Sequence, residues 1–120
     1  MIYSRIAGTG RCLPERIMSN EDLEKIVETS DEWIRTRTGV ERRHVASEEE
    51  KTSDLCVGAA KQAMESAGIT PEDIDLVVIG TTTPDLIFPN IATIVQHKLG
   101  IPACPAFSIE AGESRRRDHT

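Results

Sequence analysis

One aromatic and one basic side chain stand at a spacing suited to binding a nucleotide. Within the stretch TSDEWIRTRTG, Arg37 follows Trp33 by four residues, so both side chains would share one face of a helix. An indole can stack on a base, and a neighbouring guanidinium can hold a phosphate by charge. Most aromatic side chains simply pack in a core. The pattern alone therefore leaves two interpretations open, a ligand surface and a packed tryptophan.

The other reactive residue types carry weaker signals. The remaining candidate nucleophiles and metal ligands are three cysteines and three histidines: Cys12, Cys56, Cys104, His44, His97 and His119. Their spacings match no zinc site, disulfide framework or catalytic triad, so the sequence predicts no metal. Cys56 falls in an apolar helical stripe and is interpreted as a small hydrophobic residue. The stretch GTGRCLP also lacks the G-x-G-x-x-G pattern of a dinucleotide site.

Helices and strands alternate along the chain in a way that predicts an α/β fold with a largely parallel sheet and covering helices. Ser30 and Gly39 are suited to begin and end the helix that carries Trp33. Asn20 is expected to cap another helix, Ser53 to open a third that ends at Gly68, and Asn90 to cap a fourth that ends at Gly100. The expected strands cover 2–10, 74–82 and 104–109. The run from Leu76 to Ile79 is continuously apolar, as is typical of a strand covered on both faces.

Composition limits the partners that this chain is expected to have. The 120 residues suit one compact domain, and a net charge of −6 with a pI near 5.0 argues against nucleic acid and anionic membranes. The first residues do not form a secretion signal, and no apolar run approaches the roughly 20 residues that span a bilayer. The sequence therefore predicts a cytoplasmic protein.

Five stretches, in this order and spacing, carry a specific resemblance to a known family. They are IAGTGRCLPE, TSDEWIRTRTGVERRH, AAKQAMESAGI, FPNIATIVQHKLGI and CPAF. They resemble the amino-terminal part of β-ketoacyl-acyl carrier protein synthase III. The similarity covers 1–111 and implies a partial first half of a thiolase-like fold, incomplete by itself. Residues 112–120 depart from it as a polar tail, which resembles an out-of-frame reading followed by an early stop.

The resemblance implies an acyltransferase that starts bacterial fatty acid synthesis. Members of the family move an acyl group, commonly acetyl, from coenzyme A to a cysteine. They then condense it with malonyl-acyl carrier protein as CO2 leaves. Acyl-CoA is a substrate, so no cofactor is expected, and the expected partners are acyl-CoA, acyl carrier protein and a second copy of the chain.

Individual positions match residues with known roles in that family. The resemblance implies that Trp33 stacks on the adenine of coenzyme A, that Arg37 helps to hold the nucleotide, and that Thr29 lies beside them. It also implies that Phe88 reaches across a dimer to line the acyl pocket of the partner. Glu113 stands where the family has its nucleophilic cysteine, so no catalytic residue is assigned to this chain.

Two hypotheses follow from this departure. In the first, the reading frame belongs to a synthase III, and this truncated chain is inactive by itself because it lacks the nucleophile and the His and Asn that stabilise the oxyanion. In the second, the chain is a nonenzymatic fragment or an interaction module that pairs with a full-length synthase through the region of Phe88.

Overall fold

The computed structural model describes residues 2–110, which form two compact units. Residues 13–50 make the smaller unit, and residues 2–12 together with 51–110 make the larger one. The elements of the described residues are, in chain order, β1 (Arg16–Ser19), α1 (Asn20–Glu24), α2 (Asp31–Thr38), β2 (Arg42–Val45), α3 (Thr52–Ala67), a short 3-10 helix (Pro71–Asp73), β3 (Val77–Gly80), α4 (Ile91–Leu99) and β4 (Ala106–Ile109). The predicted polar tail over 112–120, including Glu113, lies outside the described residues.

The smaller unit combines a short antiparallel strand pair with two helices. Strands β1 and β2 pair so that Arg16 lies opposite Val45. Helix α1 begins one residue earlier than expected, because Ser19 and not Asn20 is its cap: the Ser19 hydroxyl accepts from the Asp22 amide at 3.1 Å, and the Asp22 carboxylate accepts from the Ser19 amide at 3.0 Å. These reciprocal hydrogen bonds leave the Asn20 side chain available for another role.

The larger unit contains the parallel strand pair that the sequence predicts. Strand β3 pairs with β4 in parallel, with Val77 opposite Ala106. Helix α4 packs on this pair, and Val77, Ala92 and Ile101 form a buried core cluster. Helix α4 is capped by Asn90 and ends at Gly100, as expected. Helix α3 also ends at the expected Gly68, but its cap is Lys51, so Ser53 lies inside the first turn and does not precede it.

The predicted strand over 2–10 is wrong, since the described structure assigns these residues to no strand. The end of this segment runs along α3 instead, where Gly8 and Gly10 approach the helix backbone so closely that neither position has room for a Cβ atom. The Arg11 amide also donates to the Gln62 side chain at 2.7 Å. Ile2 is 98% exposed, so the start of the segment has no sheet surface to pack on. The apolar residues of this segment therefore did not suffice to make a strand here.

Neither a membrane span nor a metal site is found in residues 2–110. No helix there is long and apolar enough to cross a bilayer. In the same range, no group of three His, Cys, Asp or Glu side chains is placed to hold a metal ion.

Candidate nucleotide-binding surface

Helix α2 positions the tryptophan and arginine that the sequence analysis singled out. The Ser30 hydroxyl accepts from the Trp33 amide at 3.1 Å and so fixes the first turn. Gly39 ends the helix with a φ of 74°, a left-handed conformation that glycine adopts without strain. Ile34 is buried and anchors the helix. Its neighbours Trp33 and Arg37 are exposed, as a ligand surface requires.

Trp33 and Arg37 contact each other as their spacing predicts. The guanidinium carbon of Arg37 lies 5.4 Å from the centroid of the Trp33 ring, which is a cation–π geometry. At exposed sites such a contact contributes about 0.5–1 kcal/mol. Trp33 is nevertheless 55% exposed, so the packed-tryptophan interpretation is not what the structure shows. The arrangement holds an indole at the surface with a positive charge beside it.

A surface cavity adjoins this pair. It has a volume of about 320 Å³ and is lined by Glu28, Thr29, Ser30 and Trp33. Two of the three residues matched to coenzyme A binding, Thr29 and Trp33, therefore line one cavity. Arg37 does not line this cavity, but it contacts the ring of Trp33, which does. Adenine-sized planar groups bind in such places by stacking on the aromatic wall, while polar groups at the rim supply hydrogen bonds.

A buried asparagine beneath α2 holds this part of the smaller unit together. Asn20 is fully buried, and its amide nitrogen donates to Asp31 Oδ1 and to the carbonyl oxygen of Val40, both at 2.8 Å. Its amide oxygen accepts from Arg43 Nη2 at 2.6 Å. The hydrogen bond from Asn20, followed by that from Arg35, lowers the pKa of the Asp31 carboxyl. Asn20 was predicted only to cap α1, and this role was not foreseen.

The resemblance also singles out Phe88 and Glu113. Phe88 lies in the loop between β3 and α4 of the larger unit and is 86% exposed. Its predicted role in the acyl pocket of a partner stays a prediction. Glu113, the residue at the predicted nucleophile position, lies outside the described residues.

The three cysteines are free thiols without a catalytic setting in the described structure. Cys12 is exposed, whereas Cys56 and Cys104 are half-buried. Burial, with a smaller contribution from the charge of Asp85, raises the pKa of the Cys56 thiol. Because the thiolate is the nucleophilic form, Cys56 is a weak nucleophile at neutral pH.

Solved structures of condensing enzymes share the fold of the described residues. The 3-oxoacyl-[acyl-carrier-protein] synthase III of Aquifex aeolicus VF5 superimposes with a TM-score of 0.83 and 46% identity, over 88% of this chain and 34% of that one. The β-ketoacyl synthase III of Thermus thermophilus gives a TM-score of 0.78 and 42% identity, over 88% of this chain and 33% of that one. The chain is thus a partial thiolase-like α/β structure, as predicted.

Curated relatives agree with the structural neighbours. β-Ketoacyl-[acyl-carrier-protein] synthase III of Xanthomonas campestris is 56% identical over 110 residues, and that of Xylella fastidiosa strain 9a5c is 57% identical over 110 residues. The match covers 92% of this chain and 34% of either relative, so the chain spans about a third of their length. No family model matches the chain. Over the shared part, the chain is homologous to β-ketoacyl-acyl carrier protein synthase III, which confirms the resemblance.

Proposed function

We propose that this chain carries the coenzyme A nucleotide-binding surface of a β-ketoacyl-acyl carrier protein synthase III. The complete enzyme would condense an acyl-CoA, commonly acetyl-CoA, with malonyl-acyl carrier protein in the cytoplasm, and would act as a homodimer. The relatives named for this activity support the proposal. The single observation that carries it is the Arg37 guanidinium held 5.4 Å from the exposed ring of Trp33.

Each residue of the surface has a role that its chemistry allows. The indole of Trp33 would stack on the adenine, and Arg37 would hold a phosphate through charge-assisted hydrogen bonds. Thr29, at the same cavity as Trp33, would add a polar contact at the rim. The chain has a net charge of −6, so an anionic ligand is repelled at long range and needs a local cation. Arg37 supplies that cation.

Coenzyme A is expected to quench the fluorescence of Trp33, the single tryptophan of the chain. We expect Arg37→Ala to weaken binding by about 10-fold or more, since hydrogen bonds to charged groups contribute about 1.5–3 kcal/mol. Trp33→Ala should weaken the binding of coenzyme A to a similar extent. Fluorescence titration measures the affinities of the parent chain and of Arg37→Ala, whereas calorimetry measures that of Trp33→Ala, which has lost the fluorophore.

Arg35→Ala is the matched control, because it removes the same charge from the same helix. Arg35 pairs with Asp31 at 2.8 Å, and an exposed pair of this kind adds little to stability. Coenzyme A affinity should therefore change little in this variant. Equal losses in Arg35→Ala and Arg37→Ala would show that only net charge matters, and the binding surface proposed here would be wrong.

No acyl-enzyme is expected when the chain is incubated with acetyl-CoA. A carboxylate at Glu113 does not replace a thiolate nucleophile, and burial keeps the Cys56 thiol protonated. Intact-protein mass spectrometry should show no stoichiometric gain of one acetyl group. A stoichiometric acetyl adduct on Cys12, Cys56 or Cys104 would contradict the assignment of an inactive chain.

The exposed loop at Phe88 favours a second candidate function, an interaction module that pairs with a full-length synthase. Leu86, Ile87 and Phe88 are 56%, 99% and 86% exposed, which is unusual for three consecutive large apolar side chains. The fluorescence titration separates the two candidates. The interaction module would be favoured if neither the parent nor any variant bound coenzyme A, and if the chain associated with a full-length synthase in a way that depends on Phe88.

A further inference from the structure

A polar network around one buried serine connects helix α3 to the loop that carries Phe88. Ser53, in the first turn of α3, is fully buried. Its amide donates to Asp85 Oδ1 at 2.9 Å, and its hydroxyl makes a short hydrogen bond to Asp85 Oδ2. Lys98 of helix α4 donates to the Ser53 hydroxyl oxygen at 2.8 Å and to Asp54 Oδ1 at 3.0 Å. One carboxylate therefore joins the loop to a serine that α4 also contacts.

A second hydrogen bond ties the same loop to the same turn. The Thr52 hydroxyl donates to the carbonyl oxygen of Thr83 at 2.6 Å. The loop is thus held at Thr83 and at Asp85, directly before the exposed apolar tip formed by residues 86–88. Two hydrogen-bonded positions next to the tip restrict the directions in which its side chains project.

The position of Asp85 has a clear physical reason. The first amides of a helix lack partners within the helix, and Lys51 at the cap of α3 makes no side-chain hydrogen bond to them. Asp85 supplies an acceptor from a distant part of the chain, and a negative charge is stabilised at a helix N-terminus. The ammonium group of Lys98, bonded to the same serine hydroxyl, adds a positive charge nearby. A half-buried carboxylate is thereby stabilised by hydrogen bonds and charge.

We infer that Asp85 is a positioning residue, which caps α3 across the loop and fixes the apolar tip 86–88. The consequence for acyl-group selection rests on the proposed function, because only there does Phe88 line an acyl pocket. In that setting, loosening the tip would change which acyl chains fit without altering any residue that contacts the nucleotide. The positioning itself can be tested without coenzyme A, so the two proposals can fail separately.

The test is NMR on the full 120-residue chain carrying Asp85→Ala. Loss of a charged acceptor should raise the exchange rate of the Ser53 amide by about 10-fold or more. The 15N–1H heteronuclear NOE of residues 86–88 should fall, which reports faster backbone motion of the tip. Amides of α4 should keep their exchange rates. Asp85→Asn keeps an acceptor oxygen, so the heteronuclear NOE of its residues 86–88 should lie between the values of the parent and of Asp85→Ala.

Asp75→Ala is the matched control, because it removes an exposed carboxylate from the same unit. The heteronuclear NOE of its residues 86–88 and the exchange rate of its Ser53 amide should equal those of the parent. An unchanged NOE at 86–88 in Asp85→Ala would overturn the inference. If that variant unfolds, Asp85→Asn decides the question, because it removes the charge but nearly keeps the size of the side chain. A heteronuclear NOE at 86–88 in Asp85→Asn equal to that of the parent would equally overturn the inference.

Discussion

Replacing Gly10 with alanine is expected to destabilise the larger unit by about 3 kcal/mol or more, the upper end of what overpacking usually costs. A Cβ atom at Gly10 would lie 2.2 Å from the Ala59 carbonyl oxygen and 2.5 Å from the Ala63 amide nitrogen. Both are backbone atoms of α3 and cannot rotate away as a side chain can. Segment 8–12 must therefore separate from the helix, or the helix must bend.

Gly80→Ala is the control for this prediction. Gly80 ends strand β3, and a Cβ atom built there meets nothing within 4 Å. Substitutions away from tight contacts usually change stability by no more than about 0.5 kcal/mol. Urea unfolding of both variants measures the difference. Equal stabilities for Gly10→Ala and Gly80→Ala would mean that the close approach of segment 8–12 to α3 does not occur in solution.

Local signals correctly predicted where α2, α3 and α4 end. The glycines that end α2, α3 and α4 have φ values of 74°, 69° and 70°, the left-handed conformation that a helix end favours. Ser30 and Asn90 cap their helices as expected. These features depend on residues within one turn of each other, so the order of residue types is enough to find them.

Contacts between distant residues were not predictable in the same way. Gly8 and Gly10 were interpreted as the end of a strand, whereas their lack of a side chain allows contact with a helix about 50 residues later in the sequence. Ser53 was interpreted as the residue that opens α3, and the hydrogen bonds of its amide and hydroxyl to Asp85 were not foreseen. A pattern of residue types records which groups can form hydrogen bonds, but not which distant partner the fold brings to them.

In the candidate site too, contacts within one helix were predictable and contacts between distant residues were not. The spacing of Trp33 and Arg37 predicted their contact, since both lie on one helix. Thr29 was matched by resemblance alone, because a threonine before a helix has many ordinary roles. The hydrogen bonds of the buried Asn20 were not predicted. Its acceptors lie 11 and 20 residues away in the sequence, and its donor lies 23 residues away.

Replacing Asn20 by alanine is expected to abolish coenzyme A binding and to unfold or loosen the smaller unit. In Asn20→Ala, the carbonyl of Val40 loses the Asn20 donor and Arg43 Nη2 loses the Asn20 acceptor at 2.6 Å. Arg43 then keeps only the longer hydrogen bonds of Nη1 to the carbonyl oxygens of Met18 and Ser19, at 3.4 Å. Each polar group left unsatisfied in a buried place costs about 1–3 kcal/mol, and more when it is charged. The smaller unit has few other buried residues to offset this, and of its large apolar side chains only Ile34 is buried.

The pH dependence of stability provides a second signature of the same substitution. Asn20 is the main cause of the lowered pKa of Asp31, so Asp31 contributes stability above the carboxyl pKa of the unfolded chain. That contribution is lost as the pH falls through the lower pKa of the folded chain. In Asn20→Ala the pKa of Asp31 should rise towards its ordinary value, and this acid-induced loss of stability should shrink.

Glu21→Ala is the matched control for Asn20→Ala, because Glu21 is the next residue of α1 and is exposed. Near-ultraviolet circular dichroism of Trp33 reports order in the smaller unit, and NMR titration reports the pKa of Asp31. We expect Glu21→Ala to match the parent by both measurements and in coenzyme A affinity, while Asn20→Ala loses the Trp33 signal. An Asn20→Ala protein that keeps both its coenzyme A affinity and the low pKa of Asp31 would show that the candidate surface does not depend on the buried asparagine. The support for Trp33 and Arg37 would then have to come from α2 alone.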